Sequence, residues 1–322
     1  MTRVLITGAS GFIGRAAVAE LVQRGYSVRA AVRRPPTPAF APGVEVIQHP
    51  DLSHSFDWQP LLKDVDQVIH LAGIAHTRGV TAEQFDRINR LATAELADAA
   101  TQAGIKHFVF VSSIRAQAGP SADHALNERD EATPTDAYGM AKLGAEAAVR
   151  SAGIPFTILR PVALYGPGVK GNFAWLLWAA RSPWPLPIKD FVNRRSLLGL
   201  GNFTSALGFV LGAPAARGEI YIVADPGMAL RFPDLMATLR EAAGRWPLIV
   251  PMPPHYLEIL LRLIGRDDVW ERLGNNLRVD ASKLMAAGWQ PLHDTRGGLA
   301  ALIQTESRSR NTMPPITPTP KT

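Results

Sequence analysis

The sequence predicts an α/β fold: a doubly wound parallel sheet followed by a smaller C-terminal α/β domain. Three observations lead there. An apolar run, Val4-Leu5-Ile6, is followed at once by Gly8, Gly11 and Gly14 and then by a helical pattern, Ala16, Ala17, Leu21 and Val22. Short apolar runs then alternate with helical segments as far as about residue 165, the signature of a parallel sheet wound with crossover helices. Beyond that point the alternation becomes less regular.

The elements follow in order. Val4-Leu5-Ile6 reads as a strand buried on both faces. Val28 to Val32 is a second strand, so strand, glycine turn, helix and strand make one Rossmann-type dinucleotide-binding unit. In such a unit Gly8 permits the tight turn, Gly11 lets backbone approach a pyrophosphate, and Gly14 lets helix and strand pack closely. The helix N-terminus offers free N–H groups to the phosphates. A proline-rich loop, Pro35 to Pro42, leads to a third strand at Val44 to Ile47. Asp66 to Leu71 is a fourth strand, Glu83 to Ala103 a helix containing Asn89, and Lys106 to Val111 a fifth strand. The helix carrying Tyr138 and Lys142 precedes a sixth strand, Ile154 to Leu159. Then come an aromatic helix (Gly171 to Arg181) whose two Trp are expected in the core, strands at Arg195 to Leu200 and Glu219 to Val223, and a helix at Phe232 to Ala243. His255 to Ile264 is an amphipathic helix expected to pack, and Val279 to Trp289 a cap and short helix. The expected division is 1–165 for the dinucleotide-binding domain, 166–304 mostly for a substrate domain with segments returning to the first core, and 305–322 for a disordered tail.

Composition narrows the class. A chain of 322 residues, 47% hydrophobic, builds an ample core. Phe173 to Ala180 is apolar but too short for a membrane span. The N-terminus enters the first strand directly, so no signal peptide and a cytoplasmic location are expected. There is no cysteine, which removes disulfides, thiolate nucleophiles and cysteine metal sites, and no metal is expected. The net charge of +6 contains no long basic run, which argues against nucleic acid.

The second strand bears on the cofactor. An acid at its end holds the ribose hydroxyls of NAD, whereas an Arg accommodates a 2′-phosphate. Val32 stands where the acid would be, followed by Arg33 and Arg34. A guanidinium binds a phosphate that a carboxylate would repel, so NADP(H) is favoured and NAD(H) remains possible. Asp51 after the third strand either accepts a hydrogen bond from the adenine amino group or caps a turn. Small residues, Ala72 and Gly73, end the fourth strand and let backbone pass under the cofactor. Thr7, Ala72 and Ser113, at three strand ends, converge on one crevice. Tyr138 and Lys142, four apart, share a helix face. A nearby ammonium is expected to lower the phenol pKa, Ser113 to hold the reacting oxygen, and Tyr138 to give or take its proton.

Four motifs together resemble the extended short-chain dehydrogenase/reductase family, in its nucleotide-sugar epimerase/dehydratase branch. They are Thr7-Gly8-Ala-Ser-Gly11-Phe-Ile-Gly14, His70-Leu-Ala-Gly73, Val111-Ser-Ser113 and Tyr138-Gly-Met-Ala-Lys142. Leu159-Arg-Pro161, Tyr165-Gly-Pro-Gly168, Arg195-Ser-Leu-Leu-Gly-Leu and Val279-Asp-Ala-Ser-Lys283 extend the match to about Leu302. The resemblance implies a Ser113/Tyr138/Lys142 catalytic triad, with cofactor contacts also at Ser10, Phe12, Ile13, Leu52, Leu71, Val111 and Pro161. It places Asn172 near the substrate phosphates and Arg195 on the diphosphate, and it implies a homodimer through the helices bearing Asn89 and Tyr138. His76 either touches substrate or caps its loop. The branch's 4,6-dehydratases carry an acidic pair after the catalytic Ser/Thr, and here Ile114-Arg115 stand there. Its 3,5-epimerase/reductases use a Cys, absent here. What remains is hydride transfer at one carbon of a UDP-sugar: NADPH reduction of a UDP-4-keto-6-deoxy-N-acetylhexosamine in polysaccharide biosynthesis, or 4-epimerisation with tightly bound NAD. The alternatives are a dihydroflavonol- or hydroxysteroid-like ketone reductase and a non-catalytic NADP(H)-binding regulator. Ala163, where many relatives place a substrate-contacting Asn, leaves the sugar open.

Overall fold

A computed structural model of the chain describes residues 1–35, 39–75, 79–169, 171–263, 265, 270 and 274–311. Seven parallel strands form the central sheet: β1 (Arg3–Thr7), β2 (Ser27–Val32), β3 (Glu45–Gln48), β4 (Gln67–His70), β5 (His107–Val111), β6 (Phe156–Pro161) and β7 (Glu219–Val223). Their order is β7-β6-β5-β4-β1-β2-β3, the doubly wound arrangement. The order reverses between β1 and β4, where the strand ends open a crevice. Val4, Leu5 and Ile6 have no exposed surface, as a run apolar on both faces requires.

Helices cover both faces. On one, α1 (Phe12–Gln23) lies beside a helix from much later in the chain. Ala17, Val18 and Leu21 of α1 share a core with Phe203, Leu207 and Val210. On the other, α2 (Ala92–Gln102) and α3 (Ala137–Ser151) bury Leu96, Ala100, Ala145 and Val149 against Phe108 and Ile158. A third core, around Tyr165, Leu177, Phe191, Leu239 and Leu302, is built by α4 (Asn172–Arg181), α6 (Phe232–Ala242) and α8 (Thr295–Asn311).

Several expectations are corrected. The strand expected at Arg195 to Leu200 is two short ones. Arg194–Arg195 pairs antiparallel with Leu230–Arg231, and Leu197–Gly199 pairs parallel with Ala163–Tyr165. Leu200 then opens α5 (Leu200–Gly212), which the sequence reading missed. Ten of its thirteen residues are buried, Asn202, Thr204 and Ser205 among them, and a helix buried nearly all round shows no amphipathic period. The helix expected at Glu83 to Ala103 is interrupted by a π segment, Asp86–Leu91, that turns Asn89 fully inward. Trp175 and Trp178, expected in the core, are 68% and 62% exposed. The helix buries the stripe of Leu177 and Ala180 instead. In α7 (Pro254–Leu263), expected to pack, Leu257 rests against the third core, but no residue is fully buried. Residues 305–311, expected in a disordered tail, are instead the end of α8, which runs to Asn311 with Glu306 paired to Arg181 at 2.5 Å; the rest of that expected tail, 312–322, lies outside the described residues. No described helix is long and apolar enough to cross a membrane.

Candidate active site

The glycine turn is built as its spacing requires. Gly8 has φ +66°, and a Cβ there would lie 2.8 Å from the Ala72 nitrogen. Gly14 abuts the Gly8 carbonyl and lies so close to Ala9 that a Cβ would come within 2.7 Å of its Cα. Gly11 caps α1 without a side-chain hydrogen bond, and the first turn carries no acid. The helix N-terminus, with exposed Ser10 and Gly11 and half-buried Phe12 and Ile13, therefore keeps its positive dipole end open toward the crevice.

At the end of β2, Arg33 is exposed and donates from Nη1 to Asp51 Oδ2 at 2.8 Å. Asp51 also accepts from the Ser53 amide at 3.0 Å. That hydrogen bond, with the Arg33 guanidinium, holds its carboxyl at about 2. Asp51 thus closes the turn at Ser53, one of its two expected roles, while its second carboxylate oxygen holds Arg33. Leu52, beside it, is buried.

Under the crevice a hydrogen-bonded chain fixes the exit of β4. Thr7 Oγ1 accepts from the amides of Leu71 and Ala72, both at 3.2 Å. Its own hydrogen is therefore left for His70 Nδ1 at 2.7 Å. His70 then carries its proton on Nε2 and donates to Thr93 Oγ1 at 3.0 Å, and Thr93 donates to the Asn89 carbonyl at 2.7 Å. Burial, aided by Lys142, pushes His70 down to about 3, so it is neutral. Asn89 clamps Ile74 through two 2.9 Å hydrogen bonds. Gly73, with φ +157°, leaves room for the Asn89 side chain and lies beside Lys142. Leu71, Ala72 and Gly73 are thereby held as a floor.

Ser113 follows β5 and accepts from the Arg115 amide at 3.2 Å. It also shares a hydrogen bond with the Tyr138 phenol. Asp136 caps α3 by accepting from the Gly139 amide at 2.7 Å, and it pairs with Arg115. Lys142 is buried, donates to the Val111 carbonyl at 3.0 Å and sits 4.8 Å from the Phe110 ring centre. Burial pushes Lys142 down to about 8, against the pull of Glu146. The expected lowering of the Tyr138 pKa by Lys142 is corrected. Burial raises the phenol above its ordinary value, the Ser113 hydrogen bond pulls it back, Asp136 adds to the rise, and Arg115 is the cation that lowers it.

Sequence reasoning missed what anchors this face. Glu146, one turn beyond Lys142, accepts from Arg160 at 2.9 and 2.5 Å and from Ser112 at 2.5 Å. Arg160 also donates to Gln117. The pair is buried and locks α3 onto the ends of β5 and β6, beside Pro161. The repeat of Tyr138, Lys142 and Glu146 every four residues was its signal.

His76 lies outside the described residues, and so does the side chain of Asn172, whose backbone opens α4. Arg195 is half-buried and donates to the carbonyls of Pro120 and Asn275, both at 3.2 Å. It thus bridges the loop that starts at Ser113 to the C-terminal part of the chain. Among the described residues no acidic, His or Cys cluster could hold a metal.

Comparison with known proteins agrees with this architecture. The chain is 29% identical to a UDP-glucose 4-epimerase of Vibrio cholerae over 96% of each chain. It is 30% identical to a ceramide reductase of Caulobacter vibrioides, covering 89% of this chain and 86% of that one. Among solved structures, MoeE5 in complex with UDP-glucose and NAD superposes with a TM-score of 0.75 at 26% identity, over 96% of this chain and 99% of that one. Residues 4–221, from β1 nearly to the end of β7, match the model of the NAD dependent epimerase/dehydratase family, and the chain belongs to that family, with the extended short-chain dehydrogenase/reductase fold.

Proposed function

We propose that this enzyme acts at C4 of a nucleotide sugar, reducing a UDP-4-keto-6-deoxy-N-acetylhexosamine for polysaccharide biosynthesis. The observation that carries the reading is the Ser113–Tyr138 hydrogen bond beside buried Lys142, with no acid following Ser113. Ile114 is buried, and Arg115 is engaged by Asp136. Neither can take up a proton from a neighbouring carbon, so single-carbon chemistry is what the site supports.

The residues fit a nicotinamide dinucleotide. Side chains at Gly8, Gly14 and Gly73 would collide with their surroundings, and the uncapped start of α1 suits a pyrophosphate. When bound, the cofactor supplies the hydride. Ser113 orients the carbonyl oxygen, and Tyr138 delivers the proton to it. Lys142, held by its hydrogen bond to the Val111 carbonyl, supplies positive charge beside Gly73. Arg33, at the end of β2, supports NADP(H). The helices bearing Asn89 and Tyr138 are the proposed homodimer interface.

A second reading, 4-epimerisation with bound NAD, is favoured by the Vibrio cholerae relative and by the UDP-glucose and NAD in MoeE5. Incubation with a UDP-4-keto sugar and NADPH tests both. Loss of the reduced-nicotinamide absorbance supports reduction. Interconversion of UDP-hexoses without net cofactor change supports epimerisation. Turnover of an apolar ketone that UDP does not inhibit would overturn both, in the direction of the ceramide reductase.

A further inference from the structure

The chain leaves β5 at Ser113 and returns at Tyr138, and the loop between them is closed at its base by a ladder of three rungs. At the inner rung Gln117, fully buried, accepts from the Thr133 amide at 2.8 Å through its carbonyl and donates from Nε2 to the Asp130 carbonyl at 2.6 Å. At the middle rung Arg115 pairs with Asp136; the Arg115 side chain is 16% exposed. The outer rung is the Ser113–Tyr138 hydrogen bond, where the chemistry is placed. Residues 117, 115 and 113 on one side thus meet 133, 136 and 138 on the other.

The middle rung touches the outer one at both ends. The Arg115 amide donates to Ser113 Oγ at 3.2 Å. The Arg115 carbonyl lies so close to Gly139, next to Tyr138, that a Cβ there would collide with it. Asp136 caps α3 by accepting from the Gly139 amide at 2.7 Å with one oxygen, and it holds Arg115 with the other. The same pair supplies charge to the phenol: the Asp136 carboxylate disfavours the phenolate and the Arg115 guanidinium favours it. The other neighbours are spoken for. Phe85, packed edge to face on Tyr138 at 5.8 Å, carries no charge. Beyond it Asp86 and Arg90 pair with each other, Arg90 lying over Gly144. Lys142 donates to the Val111 carbonyl.

We propose, resting on the reading of Tyr138 as proton donor, that Arg115 and Asp136 are a pair of positioning residues: they seat Ser113 against Tyr138 and set opposing charges around the phenol. Arg115 then acts through Tyr138 and not on the substrate. The first test reads Tyr138 itself and needs no substrate. The full chain is labelled with 3-fluorotyrosine, whose phenol is more acidic, and the Tyr138 signal among the five tyrosines is assigned by its loss in Tyr138→Phe. Fluorine NMR then follows its ionisation in the wild type, in Arg115→Gln and in Asp136→Asn, which keeps the helix cap. Ionisation should move to higher pH in Arg115→Gln and to lower pH in Asp136→Asn. Simple loosening of the loop would move both the same way, so shifts in one direction, or none, overturn the proposal. The second test uses turnover. Arg115→Gln should lower kcat about tenfold or more, with NAD(P)H affinity unchanged and with recovery in Arg115→Lys; equal losses of kcat and cofactor affinity overturn the positioning role. Opposite shifts in a protein that turns over no UDP-4-keto sugar support the pair and refute the substrate reading alone.

Discussion

Replacing Gly14 by Ala measures how tightly the first helix is seated. A Cβ on Gly14 would lie 2.7 Å from the Ala9 Cα and 2.8 Å from its carbonyl carbon, and closer still to the Gly8 oxygen. All of these are backbone atoms, which no rotamer change can remove. Restoring ordinary contact, which begins at 3.4 Å, with the Gly8 oxygen needs a shift of about 1.2 Å between the glycine turn and α1. Overpacking of this kind costs about 1–3 kcal/mol. The same shift moves the uncapped amides of α1, and a displacement of about 1 Å costs on the order of 10²-fold where geometry governs. Urea unfolding should therefore show a stability loss of about 1–3 kcal/mol, and titration with NAD(P)H an affinity loss of about ten- to a hundredfold. Gly11→Ala is the control. Its Cβ meets only the Gly8 oxygen, at 3.2 Å, so the free protein should lose less than about 1 kcal/mol. Wild-type stability and cofactor affinity in Gly14→Ala would refute the packing account.

Three other outcomes are expected. Tyr138→Phe should lower kcat by about 10²–10⁴-fold while cofactor affinity stays the same; unchanged turnover would remove Tyr138 from the chemistry. Arg33→Ala should weaken NADPH by about tenfold or more and NADH much less, since a charge-assisted hydrogen bond contributes about 1.5–3 kcal/mol; equal losses would refute a 2′-phosphate role. Because burial holds His70 near 3 in the folded state against 6.5, its contribution is fully present above pH 6.5 and is lost as pH falls toward 3. Between pH 6.5 and pH 5 that amounts to about 2 kcal/mol. Urea unfolding at pH 7 and pH 5 should show this drop in excess of the drop in His70→Gln, and parallel pH dependences would contradict it.

What could be read from residue order, and what could not, divides along physical lines. The seven sheet strands are short apolar runs bounded by turns, and periodicity locates them. Gly8 and Gly14 are legible because only glycine fits their backbone. Ser113, Tyr138 and Lys142 are legible because strand ends and a helical spacing of four residues bring them together. The α5 helix was invisible because ten of the thirteen residues from Leu200 to Gly212 are buried, Asn202, Thr204 and Ser205 among them, so no polar face marks its period. For α4 and α7 the period shows which residues share a stripe but not which way the stripe faces, and both face outward with aromatic or aliphatic side chains. The electrostatics of Tyr138 depend on burial and on Arg115, a residue of a different element. The π segment at Asn89 depends on a clamp to Ile74 across fifteen positions. Neither follows from local spacing.

The late return of the chain to the first core has a practical consequence. Both β7 and α5 come from beyond residue 199, yet β7 pairs along β6 and α5 covers α1. A fragment ending near residue 165 would expose the whole of β6 as an open edge and uncover Ala17, Val18 and Leu21. Unpaired edges and bare apolar faces of that kind lead to aggregation. The cofactor-binding half is therefore not a portable module: for grafting, truncation or split-protein work, the cut has to fall after Gly212 at the earliest, and after Val223 if the sheet edge is to be closed.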